Sequence, residues 1–249
     1  MSPARRAGLL RSLALIAALI GLWQAVYWWV GDIALASPLA TVRYAARMIA
    51  SGDLGPHLYD TMRAFVIAFV FSVGIGLAVG FWLGFQRLAG DTLEPMIVAI
   101  YAIPKLTLYP ILLLAFGLGL SAKVAFGVLH GVIPIVLFTF AAVRNTKPIL
   151  IKTGRVLKLS PGQTVRWILF PAAVPEIFTG LRVGFSLTLI GTLLAEMFAS
   201  QRGLGYLLMT GIGLHNVEQI LAVTLLIVVF AAAVSVLLLH LDHRLHRRG

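Results

Sequence analysis

From Ile220 to Leu239 the chain runs without a single charged side chain, a stretch close to the roughly 20 apolar residues that carry a helix across the hydrocarbon core of a bilayer. Five further apolar runs resemble it: the stretch before Val30, Thr61 to Phe85, Pro95 to Gly119, Lys123 to Val143 and Ile177 to Ala199. Composition points the same way. The 249 residues are 60% hydrophobic and only 12% charged, with a mean hydropathy of +0.97, whereas a soluble domain carries about a quarter of its residues charged. The runs predict an all-α, polytopic membrane protein with six transmembrane helices in one domain spanning residues 1–249.

The net charge of +11 raises the question of nucleic acid. The basic residues lie in loops and tails between apolar runs, which suits anionic lipid headgroups, and there is no basic, aromatic-interleaved soluble domain. Nucleic acid is therefore not an expected partner. With both termini on the cytoplasmic side, the inner segments hold 13 Lys and Arg and the outer ones 5, leaving Lys105 and Arg182 within spans. Lys and Arg resist translocation, so this asymmetry predicts that orientation. The chain has no cysteine, which excludes disulfides, thiolate metal sites and a Cys nucleophile.

The first run follows Arg5, Arg6 and Arg11, and Trp23, Trp28 and Trp29 cluster toward its far end as an interfacial belt. A signal peptide cleaved near Ala36 is the rival reading; the length of the run favours an uncleaved helix. Residues 37–60 read as an extracytoplasmic loop with a short helix starting at Ser37-Pro38, with Arg43 and Arg47 on a solvated or headgroup-facing side. In the second span Gly76, Gly80 and Gly84 recur every fourth residue, opening one face to close approach by another helix. After a short inner turn at Gln86–Glu94, the third span is expected to kink at Pro104 and Pro110. Lys105 inside it costs roughly 2.5–3.5 kcal/mol on insertion scales, so it either attracts an anionic substrate or makes a structural pair or snorkels. His130, in the fourth span, reads as a packing residue. The glycine-rich stretch Ser200–Glu218 reads as a broken or re-entrant segment.

No catalytic constellation emerges. Nine Asp and Glu are scattered over separate segments, and neither a zinc-protease, a serine-hydrolase nor a nucleotide-binding motif is present. The chain is not read as an enzyme and binds no cofactor of its own; if ATP is used, ATP and Mg sit on another chain. His240, His243 and His246 lie in a basic tail without a fourth donor and are not read as a metal site.

The segment between the fourth and fifth spans, residues 144–175, carries six basic residues between Arg144 and Arg166 and no acidic one. It is far longer than a turn between two helices requires, which suggests a cytoplasmic surface that touches another protein; an amphipathic surface loop lying on anionic lipid is the rival reading. Leu157 and Leu159 offer apolar anchors, and the surrounding cations suit a groove lined with carboxylates.

At this segment the chain closely resembles the membrane permeases of bacterial ATP-binding-cassette importers, within them the nitrate, sulfonate and taurine class. The resemblance is carried by AIPKLTLYPILLLAFGLG, by FPAAVPEIFTGLRVGFSLTLIGTLLAEMF, by ASGDLGPHLYDTMRAF and by RGLGYLL. It implies a type I importer permease fold in the bacterial inner membrane, working as a homodimer with a cytoplasmic ATPase dimer and an extracytoplasmic solute-binding protein. Such permeases carry Glu-Ala-Ala, a Gly four residues later and a Leu-Pro beyond it. Setting the Pro on Pro171 puts Lys152, Thr153 and Gly154 at Glu-Ala-Ala and Lys158 at the Gly, four departures from the pattern. By the resemblance, Lys152, Thr153, Gly154, Arg155, Leu157, Lys158, Leu159, Ser160, Pro161 and Pro171 form the coupling segment. Tyr101, Lys105 and Tyr109, with Thr188, Thr192 and Glu196 on one face of the fifth span, are implied as pathway residues; Glu196 has a structural partnership as its alternative. The solute implied is small and anionic or zwitterionic: nitrate, a sulfonate, taurine, an aromatic acid or a vitamin precursor. The rival from another class is an ion-gradient-driven secondary transporter or channel, for which Glu196 is the sole intramembrane acidic candidate.

Overall fold

A computed structural model describes residues 3–246, without the side chains of 3–9, 151, 161 and 240–246. The tail histidines and the Pro161 side chain therefore lie outside the described residues. Among the described residues the chain is helical, with no strand. The helices are α1 (Pro3–Val30), α2 (Pro38–Ala50), α3 (Leu54–Phe85), α4 (Arg87–Ala102), α5 (Tyr109–Phe116), α6 (Leu120–Arg144), α7 (Pro148–Val156), α8 (Pro161–Thr164), α9 (Phe170–Ala199), α10 (Leu204–Gly213) and α11 (Val217–His246). Five stretches are long and apolar enough to span a membrane alone, and α4 with the helical segment Lys105–Phe116 makes a sixth crossing only as a pair bent by 87°.

That bend corrects the expectation of a kinked third span. Pro104 biases the residue before it away from helix, and Ile103 and Pro104 are both extended, with ψ of 134° and 93°. Pro110 does not kink anything. It occupies the first turn of α5, where its missing N–H costs no hydrogen bond. The inner turn expected at Gln86–Glu94 shrinks to Gln86, because α4 already begins at Arg87. The second span likewise starts earlier than Thr61, at Leu54, and the glycine-rich stretch after the fifth span holds one uninterrupted helix, α10.

Helix α6 is the centre of the bundle, with α3 on one side and α9 on the other. The glycine stripe of α3 performs as its spacing predicts: a Cβ at Gly76 would meet Ile135, one at Gly80 would meet Thr139 and one at Gly84 would meet Val143. On the opposite side, Gly127 and Gly131 of α6 admit Thr192 and Thr188 of α9, while Gly180, Gly184 and Gly191 of α9 admit Phe138, Ile135 and His130. Small residues on both helices let the backbones approach where apolar lipid offers no drive to associate. His130 is a packing residue: its Nδ1 lies 2.9 Å from the Phe126 carbonyl and its ring meets the Phe126 ring edge-on at 4.5 Å. Phe65, Phe185 and Leu189 join α3 to α9 beneath α11.

Helix α2 is tied to the α10–α11 turn. Arg47 pairs with Glu218 at 3.3 Å and stacks on Tyr44, whose hydroxyl accepts from Asn216 at 3.2 Å. Its arginine face is thus partly engaged rather than wholly solvated. Helix α1 stands apart, no residue of its span being buried, and Trp23 Nε1 reaches only the Ala36 carbonyl, at 3.0 Å.

Candidate functional site

The segment after α6 is a helix–turn–helix. Helix α7 ends in a Schellman motif: the Leu159 N–H donates to the Gly154 carbonyl and the Lys158 N–H to the Arg155 carbonyl, both at 3.0 Å. Lys158 has φ of +52°, the left-handed region that favours glycine. With the motif's Pro set on Pro171, the position where the family pattern has Gly is thus one whose backbone favours glycine. The next helix opens with a capping box, in which the Ser160 N–H donates to Gln163 Oε1 at 2.9 Å and the Gln163 N–H to Ser160 Oγ at 3.3 Å. Gly154 is buried because Ile168 of the returning arm fills the space a side chain would need.

The returning arm does not stop before the fifth span. Pro171 and Pro175 cannot donate to the carbonyls one turn earlier, and just ahead of Pro171 the helix widens into a π turn over Val165–Leu169, closed by the Phe170 N–H on the Val165 carbonyl. It then runs on as α9. The loop expected over residues 144–175 is therefore mostly helix, and its returning arm is continuous with a span. Lys152, Thr153, Arg155, Leu157, Lys158, Ser160 and Pro171 are exposed on it and Leu159 is half-buried. Leu157 is 63% exposed and Trp167 67%, an apolar surface amid Lys152, Arg155, Lys158 and Arg166, none of which forms an ion pair among the described residues.

On the same side of the bundle, Arg144 at the end of α6 forms an ion pair with Asp91 of α4. Gly90 allows this approach, since a Cβ there would strike the Phe140 ring and the Leu83 carbonyl.

At the opposite end, Glu196 is fully buried. Its carboxylate accepts from Thr61 Oγ1 at 2.8 Å, from the Gly205 N–H at 3.1 Å and from Lys123 Nζ at 3.3 Å. Lys123 also donates to the Arg202 carbonyl at 2.8 Å, and the Leu204 N–H donates to Thr61 Oγ1 at 2.8 Å. Gly203, at φ +126°, lies directly over the carboxylate, where no Cβ fits. Three helices and the α9–α10 turn converge on this group.

The expected pathway residues do not share one surface. Tyr101 is exposed at the α4 break and Lys105 is partly exposed beside it, its Nζ donating to the Tyr101 carbonyl at 3.0 Å and lying 4.5 Å from the centre of the Tyr101 ring. Tyr109 is buried, its hydroxyl donating to the Ala195 carbonyl at 2.7 Å. Thr188, Thr192 and Glu196 do share one face of α9, but that face is closed against α6 and α3 and all three are fully buried. Lys123 and Thr61, which complete the Glu196 site, escaped the sequence reading; an acid inside a span demands a counter-charge, yet nothing in the sequence says which of the distant cations supplies it. Gln163 was legible in principle, as the fourth residue of Ser-Pro-Gly-Gln.

Residues 72–248 match the family model of the binding-protein-dependent transport system inner membrane component. The putative aliphatic sulfonates transport permease protein SsuC of Bacillus subtilis is 28% identical over 207 residues, covering 82% of this chain and 75% of the relative. The taurine transport system permease protein TauC of Escherichia coli is 26% identical over 245 residues, covering 94% and 88%. A chain of the MetNI methionine ABC transporter in an inward-facing conformation superposes with a TM-score of 0.68 at 20% identity, over 77% of this chain and 95% of that one, a likeness of fold. With the model matched over most of its length and the fold of an importer permease, the chain belongs to the binding-protein-dependent transport system inner membrane components.

Proposed function

We propose that this chain is the membrane-spanning subunit of an ATP-driven importer for a small anionic or zwitterionic solute. Two copies form the pathway, two ATPase subunits holding ATP and Mg dock on the cytoplasmic face, and an extracytoplasmic solute-binding protein delivers cargo to the other. The observation that carries this reading is the exposed helix–turn–helix around Leu157, continuous through a π turn with α9. An ATPase closing on ATP would drag that arm, and the span attached to it would move as a lever between two arrangements. Lys152, Thr153, Gly154, Arg155, Leu157, Lys158, Leu159, Ser160, Pro161 and Pro171 are the coupling segment in this scheme.

Sulfonate and taurine relatives support an anionic or zwitterionic solute. Tyr101 and Lys105, at the open break in the third crossing, are our candidates for contact with it. Tyr109, Thr188, Thr192 and Glu196 hold the protomer together behind that surface. A carrier driven by an ion gradient would need an acid free to exchange its ion, and Glu196 is held by Lys123, Thr61 and the Gly205 N–H.

Uptake of radiolabelled taurine and of an alkanesulfonate into proteoliposomes, reconstituted with the co-purifying ATPase and binding protein, tests the reading. Accumulation that requires ATP and survives collapse of the ion gradients is expected. Accumulation without ATP that stops when the gradients are collapsed would replace it with the secondary-transport reading.

A further inference from the structure

A cleft of about 650 Å³ opens on the end of the bundle that holds Glu196, between the start of α3, the turn before α6 and the turn after α9. Its lining includes three cations, Arg63, Lys123 and Arg202, against one acid, Asp60. Lys123 stands at the floor, 7% exposed. Its ammonium has three N–H groups and, among the described residues, spends two of them, on Glu196 and the Arg202 carbonyl. The Glu196 carboxylate is not part of the lining and is sealed behind, so the cleft meets the positive member of the pair. Among the described residues no hydrogen bond or ion pair engages the guanidinium of Arg63 or Arg202.

A fourth contribution comes from the backbone. Helix α6 begins at this cleft, with Gly119 and Leu120 in the lining, and Gly119 offers no side chain to cap its first N–H groups. The positive end of a 25-residue helix is thus left open beside two free guanidinium groups and a buried ammonium, a combination that favours an anion.

We propose that this cleft is a binding site for a small oxyanion, such as a sulfonate, a carboxylate or nitrate, at the mouth of the permease. Arg63 and Arg202 hold the anion from the rim, while Lys123 and the first N–H groups of α6 hold it from the floor. The buried ammonium at the floor favours a free small anion over an acidic side chain of a docking protein, which would meet the rim alone. Its role as the first station for incoming solute rests on the importer reading; its affinity for an anion does not.

The test is calorimetric titration of the purified full chain, in complex with whatever ATPase co-purifies, with sodium methanesulfonate and sodium sulfate against sodium chloride at constant ionic strength. Saturable binding is expected, weakened at least tenfold in Arg202→Gln and in Arg63→Gln, both of which change exposed side chains and leave the Lys123–Glu196 pair intact. Lys123→Met serves as a further probe only if it elutes as a folded species. Binding unchanged in both arginine variants would overturn the site, as would no saturable binding by a wild-type protein that still carries its ATPase, an outcome that leaves the importer reading standing. Loss of binding-protein capture in the arginine variants without any anion affinity in the wild type would assign the arginines to protein docking and also overturn it.

Discussion

Lys123 and Glu196 stand 3.3 Å apart with 7% and 0% of their side chains exposed, and between them they join α6, α9 and, through Thr61, α3. Removing one partner of such a pair leaves the other charge buried without compensation, which costs about 3–5 kcal/mol. Lys123→Met is therefore expected to lower the unfolding stability of the solubilised protein by about 3 kcal/mol or more. The double variant Lys123→Met, Glu196→Gln is expected to lose less than the sum of the two single changes, because it removes both charges together. Strict additivity in denaturant unfolding would mean that the two groups do not act as a pair.

The close crossing of α3 and α6 makes a sharper prediction from two glycines on one helix. A Cβ at Gly80 would meet Thr139 and the Val136 carbonyl, whereas one at Gly74 would meet nothing within 4 Å. Gly80→Ala is expected to destabilise by about 1–3 kcal/mol through overpacking, and Gly74→Ala to be neutral or stabilising by up to about 1 kcal/mol, since alanine is the better helix former. Thermal unfolding of the two variants in the same detergent distinguishes them; equal shifts would contradict the glycine-mediated contact.

That contact was legible in the sequence because a four-residue repeat of glycine has one geometric meaning on a helix. The Glu196 site was not, since Lys123 and Glu196 are separated by |i−j| of 73 and no local pattern pairs them. Pro104 was read correctly as a disruption and wrongly as a kink: whether a proline bends a helix or ends it depends on what the freed backbone meets, and here Ile103 and Pro104 go extended while the chain restarts at Lys105. Thr188 and Thr192 were correctly placed on one face, yet periodicity does not say toward what a face points. Burial against α6 decides that.

At Lys158 a strained turn makes a prediction of the opposite sign. A side chain at a left-handed position costs about 1–2 kcal/mol relative to glycine, partly offset by glycine's greater freedom in the unfolded chain. Lys158→Gly is expected to tighten the turn, seen as slower hydrogen exchange of the Leu159 amide, and Lys158→Val to loosen it. Unaltered exchange in both variants would mean that the turn is not held by the Schellman geometry.

The central claim is that the helix–turn–helix around Leu157 seats an ATPase. The most direct measurement is purification of the tagged chain from native membranes in mild detergent, with co-purifying subunits identified by mass spectrometry, for the wild type and for Leu157→Asp. Leu157 is exposed, so the substitution leaves the bundle intact while placing an acid where the docking surface is apolar and cationic. The account predicts an ATP-binding-cassette ATPase in the wild-type preparation and its loss from an otherwise folded variant. A folded wild-type protein that brings down no ATPase, or a variant that retains it in full, would contradict the account.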